Sequence, residues 1–175
     1  MILKPQDVVI LMKLVVIGKE EWSYSKIAGS LWISPSEVHA GVKRVIKARL
    51  ASVQQGRIFP NARNLEEFIL HGVPYVFVPE LGEITRGMPT GYAGPALSSF
   101  FLETQDLPPV WPDPDGEVRG QAFSPLYKSV PRAAREDQRL YEILTIVDAI
   151  RGGRVREKQL ACLEFQKRIK PDAVN

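Results

Sequence analysis

The residues from Ser34 to Lys47 bring hydroxyl, imidazole and ammonium groups together at the spacing of one helix. Ser34 can be the N-cap, because its hydroxyl can accept a hydrogen bond from a first-turn amide that has no partner within the helix. Glu37 follows three residues later, as in a capping box, and Pro35 takes the favoured first helical position. The spacing therefore predicts a sharply started helix from Pro35 to about Leu50.

This helix has two chemically different faces. Its apolar side chains recur at helical spacing and form one inward stripe: Val38, Val42, Val45 and Ile46. The opposite face carries small, polar and basic side chains: Ser36, His39, Ala40, Lys43 and Lys47. Such a face suits close approach to base edges and phosphates. For His39, a hydrogen bond to DNA and a partly buried structural role both remain open.

Two further helices and a hairpin are predicted around this helix. A proline at its start and a glycine at its end delimit a first helix over residues 5–18, and a serine cap begins a second one over residues 23–31. Residues 50–53 and 57–59 can form two strands joined by a glycine-containing turn. Arg57 would then lie near the tip of the hairpin, either in contact with DNA or as an ordinary exposed arginine.

The order of these elements resembles that of a known family. The apolar pattern that carries the resemblance reads Ile27-Ala28, Leu31, Ile33-Ser34, Val38 and Val42-Lys43-Arg44-Val45. From about Pro5 to Phe59 the chain resembles the winged helix-turn-helix family of bacterial transcription regulators, MarR-like in general style. The resemblance implies a third helix that enters the DNA major groove and a hairpin that serves as the wing.

The resemblance also implies roles for individual residues and the kind of partner. Those implied to face bases are Ser36, His39, Ala40 and Lys43. Those implied to meet phosphates or the minor groove are Ser34, Arg44, Lys47 and Arg57, and Pro35 is included as the first residue of the helix. The implied partners are double-stranded DNA and a second copy of the chain, because helix-turn-helix proteins commonly bind two half-sites as a two-fold dimer.

The charge of the chain is distributed unevenly along its length. Residues 1–60 carry a net charge of +5, residues 61–127 a net charge of −6 and residues 128–175 a net charge of +4. A basic beginning, an acidic middle and a basic end indicate different partners for different regions, or simply differently solvated faces. The basic run around residues 151–158 either meets phosphates or forms a charged surface turn.

Beyond residue 60 the patterns are mixed. The predicted elements are a helix capped by Asn64 that ends at His71, a strand over residues 75–78, a strand over residues 118–123 and helices from Arg132 onward with a break at Gly152-Gly153. The last helix is expected to end before Pro171. Residues 79–131 are rich in proline and glycine and are expected to be irregular. In this stretch, residues 85–92 form either an anion-binding nest or a tight-turn loop.

The predicted fold class is α+β, with an N-terminal winged helix-turn-helix followed by a mixed, Pro/Gly-rich region and C-terminal helices. We expect two domains, a DNA-binding domain over residues 1–60 and an α+β domain over residues 61–175. The first helix is apolar on nearly every side, so the C-terminal region or a second subunit must cover it. A dimer would use this helix and the stripe Leu140, Ile143, Leu144 and Val147 together with the helix after Gly153, unless the two surfaces pack together within one chain.

Signatures of other classes are scarce. Walker, GxGxxG, GxSxG and HExxH motifs are missing, and Cys162 is the only cysteine, so we expect neither an enzyme nor a cofactor nor a metal site. No apolar stretch reaches 18 residues, and a cytoplasmic protein is expected. The sequence therefore predicts a sequence-specific, dimeric transcriptional repressor. The alternative is an antitoxin-like interaction module that binds a basic protein through its acidic middle region.

Overall fold

The computed structural model describes residues 1–170. The first part of the chain forms three helices and a hairpin, in the order α1 (Pro5–Ile17), α2 (Tyr24–Leu31), α3 (Pro35–Lys47), β1 (Ala51–Gln54) and β2 (Arg57–Pro60). These elements match the predicted ones, except that α3 ends before Leu50. The hairpin turn consists of Gln55 and Gly56, whose φ angles of 51° and 75° suit a tight two-residue turn.

The second part of the chain combines helices with a small sheet. Its elements are α4 (Ala62–His71), α5 (Val73–Val76), β3 (Leu81–Pro89), β4 (Pro109–Pro112), β5 (Val118–Phe123), α6 (Val130–Glu136), α7 (Gln138–Gly152) and α8 (Val155–Ile169). The mixed class predicted from the sequence is confirmed, as are the strand β5 and the break between α7 and α8. The expected end of the last helix agrees with α8, whereas Pro171 lies outside the described residues.

The first helix is covered within the chain, as expected for a helix that is apolar on nearly every side. Most of α1 from Asp7 to Leu14 is buried, and the helix packs against both α3 and α7. Lys13 donates a hydrogen bond to Asp137 at 2.7 Å and so ties α1 to the start of α7. The stripe on α7 is buried as well. The first helix and the stripe on α7, both expected in a dimer contact, are therefore occupied inside one protomer, whereas Val155 and Leu163 on α8 are exposed.

Two local expectations for residues 61–78 are wrong. The N-cap of α4 is Asn61, whose side chain accepts from the amide of Asn64 at 3.3 Å, while the side chain of Asn64 donates to the carbonyl of Arg49. The expected strand at residues 75–78 begins instead as the helical turn α5. Val73 and Phe77, four residues apart, both point into the core, and this burial overrides the β-propensity of the segment.

The sheet of the second part is a small closed barrel. β3 pairs antiparallel with β5 and with β4, and a short parallel pairing of β4 with β5 completes the ring. Residues 85–89, expected in a turn or an anion nest, belong to β3, so their extended backbone fits neither interpretation. Gly87 and Gly120 allow the strands to approach closely, because an added Cβ would lie 2.0 Å and 2.1 Å from a backbone oxygen.

A buried polar cluster joins this barrel to α7; we call it the Asp148 cluster, formed by Asp148, Arg151, Thr90 and Trp111. The Asp148 carboxylate accepts hydrogen bonds from Arg151 at 2.7 Å, from the Thr90 hydroxyl at 2.7 Å and from the Trp111 indole at 2.6 Å. Burial raises the pKa of Asp148, and these three donors act in the opposite direction. Arg151 is consequently inaccessible to phosphates. The interpretation in which the basic run around residues 151–158 meets phosphates therefore does not hold for Arg151.

Across residues 1–170, no helix combines the length and the apolar character needed to cross a membrane.

Candidate nucleic-acid interface

The segment from α2 to α3 is a helix, a three-residue turn and a second helix. Ser23 caps α2 by accepting a hydrogen bond from the amide of Lys26 at 3.2 Å. Trp32 ends this helix in the left-handed conformation, with φ of 56°, and the amide of Ile33 then reaches back to the carbonyl of Ala28. The side chain of Ile33 is buried. The turn thus reverses the chain over a short distance and sets the start of α3.

The predicted capping box at the start of α3 is present. The Ser34 hydroxyl accepts from the Glu37 amide at 3.3 Å, and the Glu37 carboxylate accepts from the Ser34 amide at 3.3 Å and from the Ser34 hydroxyl at 2.9 Å. These bonds to Ser34, together with the hydroxyl of Tyr127, hold the pKa of Glu37 below its ordinary value. Ser34 therefore acts first on the helix itself, whatever it contacts outside the chain.

The position of α3 against α1 depends on a close crossing at Gly41. A Cβ added at Gly41 would lie 2.5 Å from Cδ1 of Ile10 and 2.8 Å from Oδ1 of Asp7. Beside this crossing, Arg44 donates two hydrogen bonds to the carboxylate of Asp7, each 2.7 Å long. The same carboxylate accepts from the amide of Lys4 at the start of α1. The two helices are thus joined by a close contact and a bidentate ion pair.

The expectation that Arg44 meets phosphates is wrong. Its side chain is only 10% exposed and that of Asp7 only 1%. The hydrogen bonds to Asp7 raise the pKa of Arg44, and a buried carboxylate without this partner would be strongly unfavourable. Arg44 is therefore committed to positioning α3, although it is adjacent in sequence to Lys43 on the outer face.

The outer face of α3 presents the other predicted side chains to solvent. Those that are exposed are Ser34, Pro35, Ser36, His39, Lys43 and Lys47, and Ala40 is half-buried among them. The ring of His39 packs against the ring of Tyr24, with their centroids 4.9 Å apart, which orients the imidazole. Among the described residues, neither Lys43 nor Lys47 forms an ion pair. Their ammonium groups are free to meet an anionic partner.

Arg57 lies directly after the hairpin turn, as predicted, but its guanidinium is engaged. It donates to the carbonyl of Lys19 at 2.9 Å and to that of Glu20 at 3.0 Å. It also lies over the ring of Phe59, 5.7 Å from the centroid. Arg57 therefore fastens the hairpin to the loop between α1 and α2, and the side chains at the tip itself are those of Gln54 and Gln55.

Sequence reasoning missed a group of residues from the second part of the chain that lies beside the start of α3. The Tyr127 hydroxyl donates to Glu37 at 3.3 Å, and Lys128 is near enough to lower the pKa of that carboxyl. Arg132 stacks on Trp32, with its guanidinium 3.3 Å from the ring centroid. These residues are about ninety positions away in the sequence, so no local pattern could have placed them here.

The side chains on this surface can recognise an anionic partner. Hydroxyl, imidazole and ammonium groups on one side of a capped helix can donate hydrogen bonds and neutralise anions. Within residues 1–170, no group of three His, Cys, Asp or Glu side chains is arranged to hold a metal ion. Comparison with known proteins gives no match, whether to a family model, to a curated protein or to a solved structure. The geometry of α3 thus carries the case for function.

Proposed function

We propose that this protein is a DNA-binding transcriptional regulator whose residues 1–60 act as a winged helix-turn-helix. α3 enters the major groove of double-stranded DNA, with Ser36, His39, Ala40 and Lys43 towards the bases and Lys47 towards phosphate. The remainder of the chain positions this unit. Binding over a promoter excludes the polymerase, so the protein acts as a repressor.

The observation that carries the proposal is the outer face of α3. Lys43 and Lys47 lie one turn apart, about 6 Å along the helix axis, and neither has an anionic partner in the described chain. The neighbouring basic residue Arg44 is neutralised by Asp7. Because Arg44 is paired while Lys43 and Lys47 are not, the unpaired positive charge of α3 lies on a single face. A recognition helix meets the DNA backbone with such a face.

Surrounding elements support the same orientation. Lys128 and Arg132 add positive charge near the start of α3, and both are exposed. The hairpin β1–β2 follows α3 directly, as a wing does. Its tip offers amide side chains rather than a free arginine, so we assign the wing a supporting contact and α3 the principal one.

The dimeric state is proposed from the geometry of DNA half-sites alone. Two-fold operators require a two-fold protein, with recognition helices about one DNA turn apart. The apolar faces of α1 and α7 are not available for this contact, since they pack inside the protomer. Light scattering at micromolar concentration tests the dimer, for which a mass near the 19.6 kDa of one chain would be the contrary result.

The salt dependence of binding to generic duplex DNA tests the proposal. We expect the apparent affinity to fall steeply with salt, and Lys43→Ala with Lys47→Ala to lower the slope by roughly two phosphate contacts. The control is Lys167→Ala with Lys170→Ala, which removes the same charge from the exposed end of α8 and the residue after it, and at Lys167 also an exposed ion pair with Glu164. Equal losses in both double variants would mean that binding reflects net charge and not the face of α3.

A second candidate function is an antitoxin-like interaction module. One observation favours it: Tyr75 and Val76 are 81% and 59% exposed, Val78 is exposed beside them, and the acidic Glu80 and Glu83 follow. An apolar patch with an acidic rim would suit a basic protein partner. Weak, salt-insensitive binding to duplex DNA by the intact protein would favour this candidate over the regulator.

A further inference from the structure

A cleft of about 580 Å³ lies between the strands β3 and β5 and the junction of α7 with α8. The segment that leads into β4 forms its remaining wall. Pockets that hold small molecules measure roughly 300–1,000 Å³, so the volume is suitable. In the described chain this cleft and the outer face of α3 have no residue in common, so a ligand here is a separate property from DNA binding.

Three solvent-exposed aliphatic side chains line this cleft. Leu81 and Ile84 on β3 are 62% and 52% exposed, and Leu107 on the facing segment is 48% exposed. All three line the cleft, and the buried ring of Phe123 lies behind them in its wall. Aliphatic groups left in water at the mouth of one concavity indicate an apolar body that covers them.

The polar part of the lining is acidic. Its charged members are four carboxylates and one guanidinium, those of Glu83, Asp106, Asp148, Glu157 and Arg154, and its neutral polar members are Tyr92 and Gln121. Asp148 is already paired with Arg151 at 2.7 Å, and Asp106 with Arg154 at 3.3 Å. Within residues 1–170, Glu83 and Glu157 form no ion pair. The cleft therefore has two carboxylates whose charge no side chain of the described chain neutralises.

The phenol of Tyr92 responds to this acidic environment. Its pKa is raised by burial, and the carboxylates of Asp106 and Glu157 raise it further, while Arg154 acts in the opposite direction. Tyr92 also stacks on Phe101, with ring centroids 5.6 Å apart, so the phenol is held in place. The protonated hydroxyl can orient a bound polar group.

Two helix ends lie at the cleft, the start of α8 and the end of α7. The start of α8 would attract an anion, but its leading amide, that of Arg154, already donates to Glu157 at 2.8 Å. The end of α7, at Gly152 and Gly153, brings carbonyl groups and the negative end of a helix dipole to the same place. Glu83 and Glu157, neither of which forms an ion pair in the described chain, thus determine the sign of charge that the cleft accepts.

We propose that this cleft binds a small organic cation, namely an ammonium group on an apolar body. The apolar body covers Leu81, Ile84 and Leu107, and the ammonium lies between Glu83 and Glu157. A cation is favoured over a neutral molecule because carboxylates in a partly closed site attract it more strongly than they would in bulk water.

Three compounds with the same carbon skeleton test the proposal: phenylbutylamine, phenylbutanol and phenylbutyrate. Two-dimensional NMR of the full chain reports binding through the amides of Gly82, Gly91 and Gly153, which line the cleft. We expect saturable shifts at these glycines, with the amine at least tenfold tighter than the carboxylate and the alcohol in between. Gly29, on α2, should not shift.

Matched variants separate the two contributions. Glu83→Gln should weaken the amine about threefold to tenfold and leave the alcohol unchanged, whereas Glu117→Gln, directly before β5 and outside the cleft, should change neither. Leu81→Ser should weaken all three compounds, whereas Val78→Ser, on an equally exposed side chain outside the cleft, should not.

Three outcomes would overturn the proposal: no shifts at the cleft glycines with the amine at millimolar concentration, equal affinity for amine and carboxylate, or an amine affinity that Glu83→Gln leaves unchanged. None of these outcomes bears on DNA binding. Conversely, an experiment that rejects DNA binding leaves the proposal for the cleft intact.

Discussion

Each of the two parts of the molecule contains one buried carboxylate–guanidinium pair, and the two pairs are built differently. Asp7 on α1 and Arg44 on α3 lie 37 positions apart in the sequence, and their ion pair joins the two helices directly. Asp148 and Arg151 lie three positions apart on one helix, and the carboxylate collects Thr90 and Trp111 from outside it. The first pair fixes the angle and register of α3 against α1. The second anchors the barrel on α7.

This difference predicts whether a substitution in each pair should change mainly stability or mainly DNA binding. Burial of an ion pair gives little net stability, because desolvation offsets most of the attraction, but removal of one partner leaves an uncompensated charge. Damage to the Asp148 cluster should therefore reduce global stability and spare the outer face of α3. Damage to the pair of Asp7 and Arg44 should reduce stability less and DNA binding more.

The largest effect is expected for Asp148→Ala. It leaves the guanidinium of Arg151 and the indole of Trp111 buried without their acceptor, so we expect the free energy of unfolding to fall by about 3–5 kcal/mol. Urea denaturation measures it. The control is Asp106→Ala, whose ion pair with Arg154 is mostly exposed and should contribute about 0–1 kcal/mol. A loss in Asp148→Ala no larger than in the control would contradict the role given to the cluster.

Arg44→Met should destabilise the protein by about 3 kcal/mol, because it leaves the carboxylate of Asp7 buried without its cation. We also expect weaker DNA binding at temperatures where the variant is fully folded, since α3 loses its bridge to α1. Arg63→Met is the control, because the side chain of Arg63 is 88% exposed. If Arg44→Met bound DNA as the parent does once folded, α3 would not depend on this pair for its position.

A pair of glycine substitutions tests the close crossing of α1 and α3. Gly41→Ala should cost about 1–3 kcal/mol, because the new methyl group meets Ile10 and Asp7. Gly29→Ala, in α2, meets nothing within 4 Å and should stabilise the protein by about 0.5–1 kcal/mol through helix propensity. Thermal unfolding measures the stability of both variants. If both substitutions changed stability in the same direction, the close crossing at Gly41 would not be the reason for the glycine.

The smallest effect is expected for Ser34→Ala, about 1 kcal/mol from loss of the N-cap. Ser25→Ala, in the exposed first turn of α2, is the control and should change stability by less than about 0.5 kcal/mol.

The capping box also predicts how stability depends on pH. The pKa of Glu37 is lowered in the folded protein, so the contribution of Glu37 to stability is present above the unfolded value of 4.5 and is lost as pH falls through the folded pKa. Ser34→Ala should reduce this acid dependence.

The N-terminal elements were predictable because their signals are local. Ser23 and Ser34 each cap a helix within three residues, and the apolar phase of α3 is repeated within its own length. The strand β3 was not predictable in the same way. Its partners begin about twenty to forty residues later, and the bulge between Leu81 and Ile84 breaks the alternation that would have marked a strand.

The candidate site divides along the same line. Helical phase correctly put His39, Lys43 and Lys47 on the solvent side of α3. It could not show that Arg44, one residue from Lys43, meets Asp7, since that requires the packing of α1 on α3. The acidic Asp7, in the first turn of a mostly apolar helix, was the one visible hint of a buried partner for α3. Nothing local pointed to Lys128.

The most direct test of the central claim is a map of the DNA contact on the intact protein. Amide chemical shifts are followed by NMR while a short generic duplex is added at low salt. The account predicts changes that concentrate on α3 at Ser36, His39, Ala40, Lys43 and Lys47, with smaller ones at the hairpin tip. Changes confined to the barrel or to α8, or no changes at all, would contradict it.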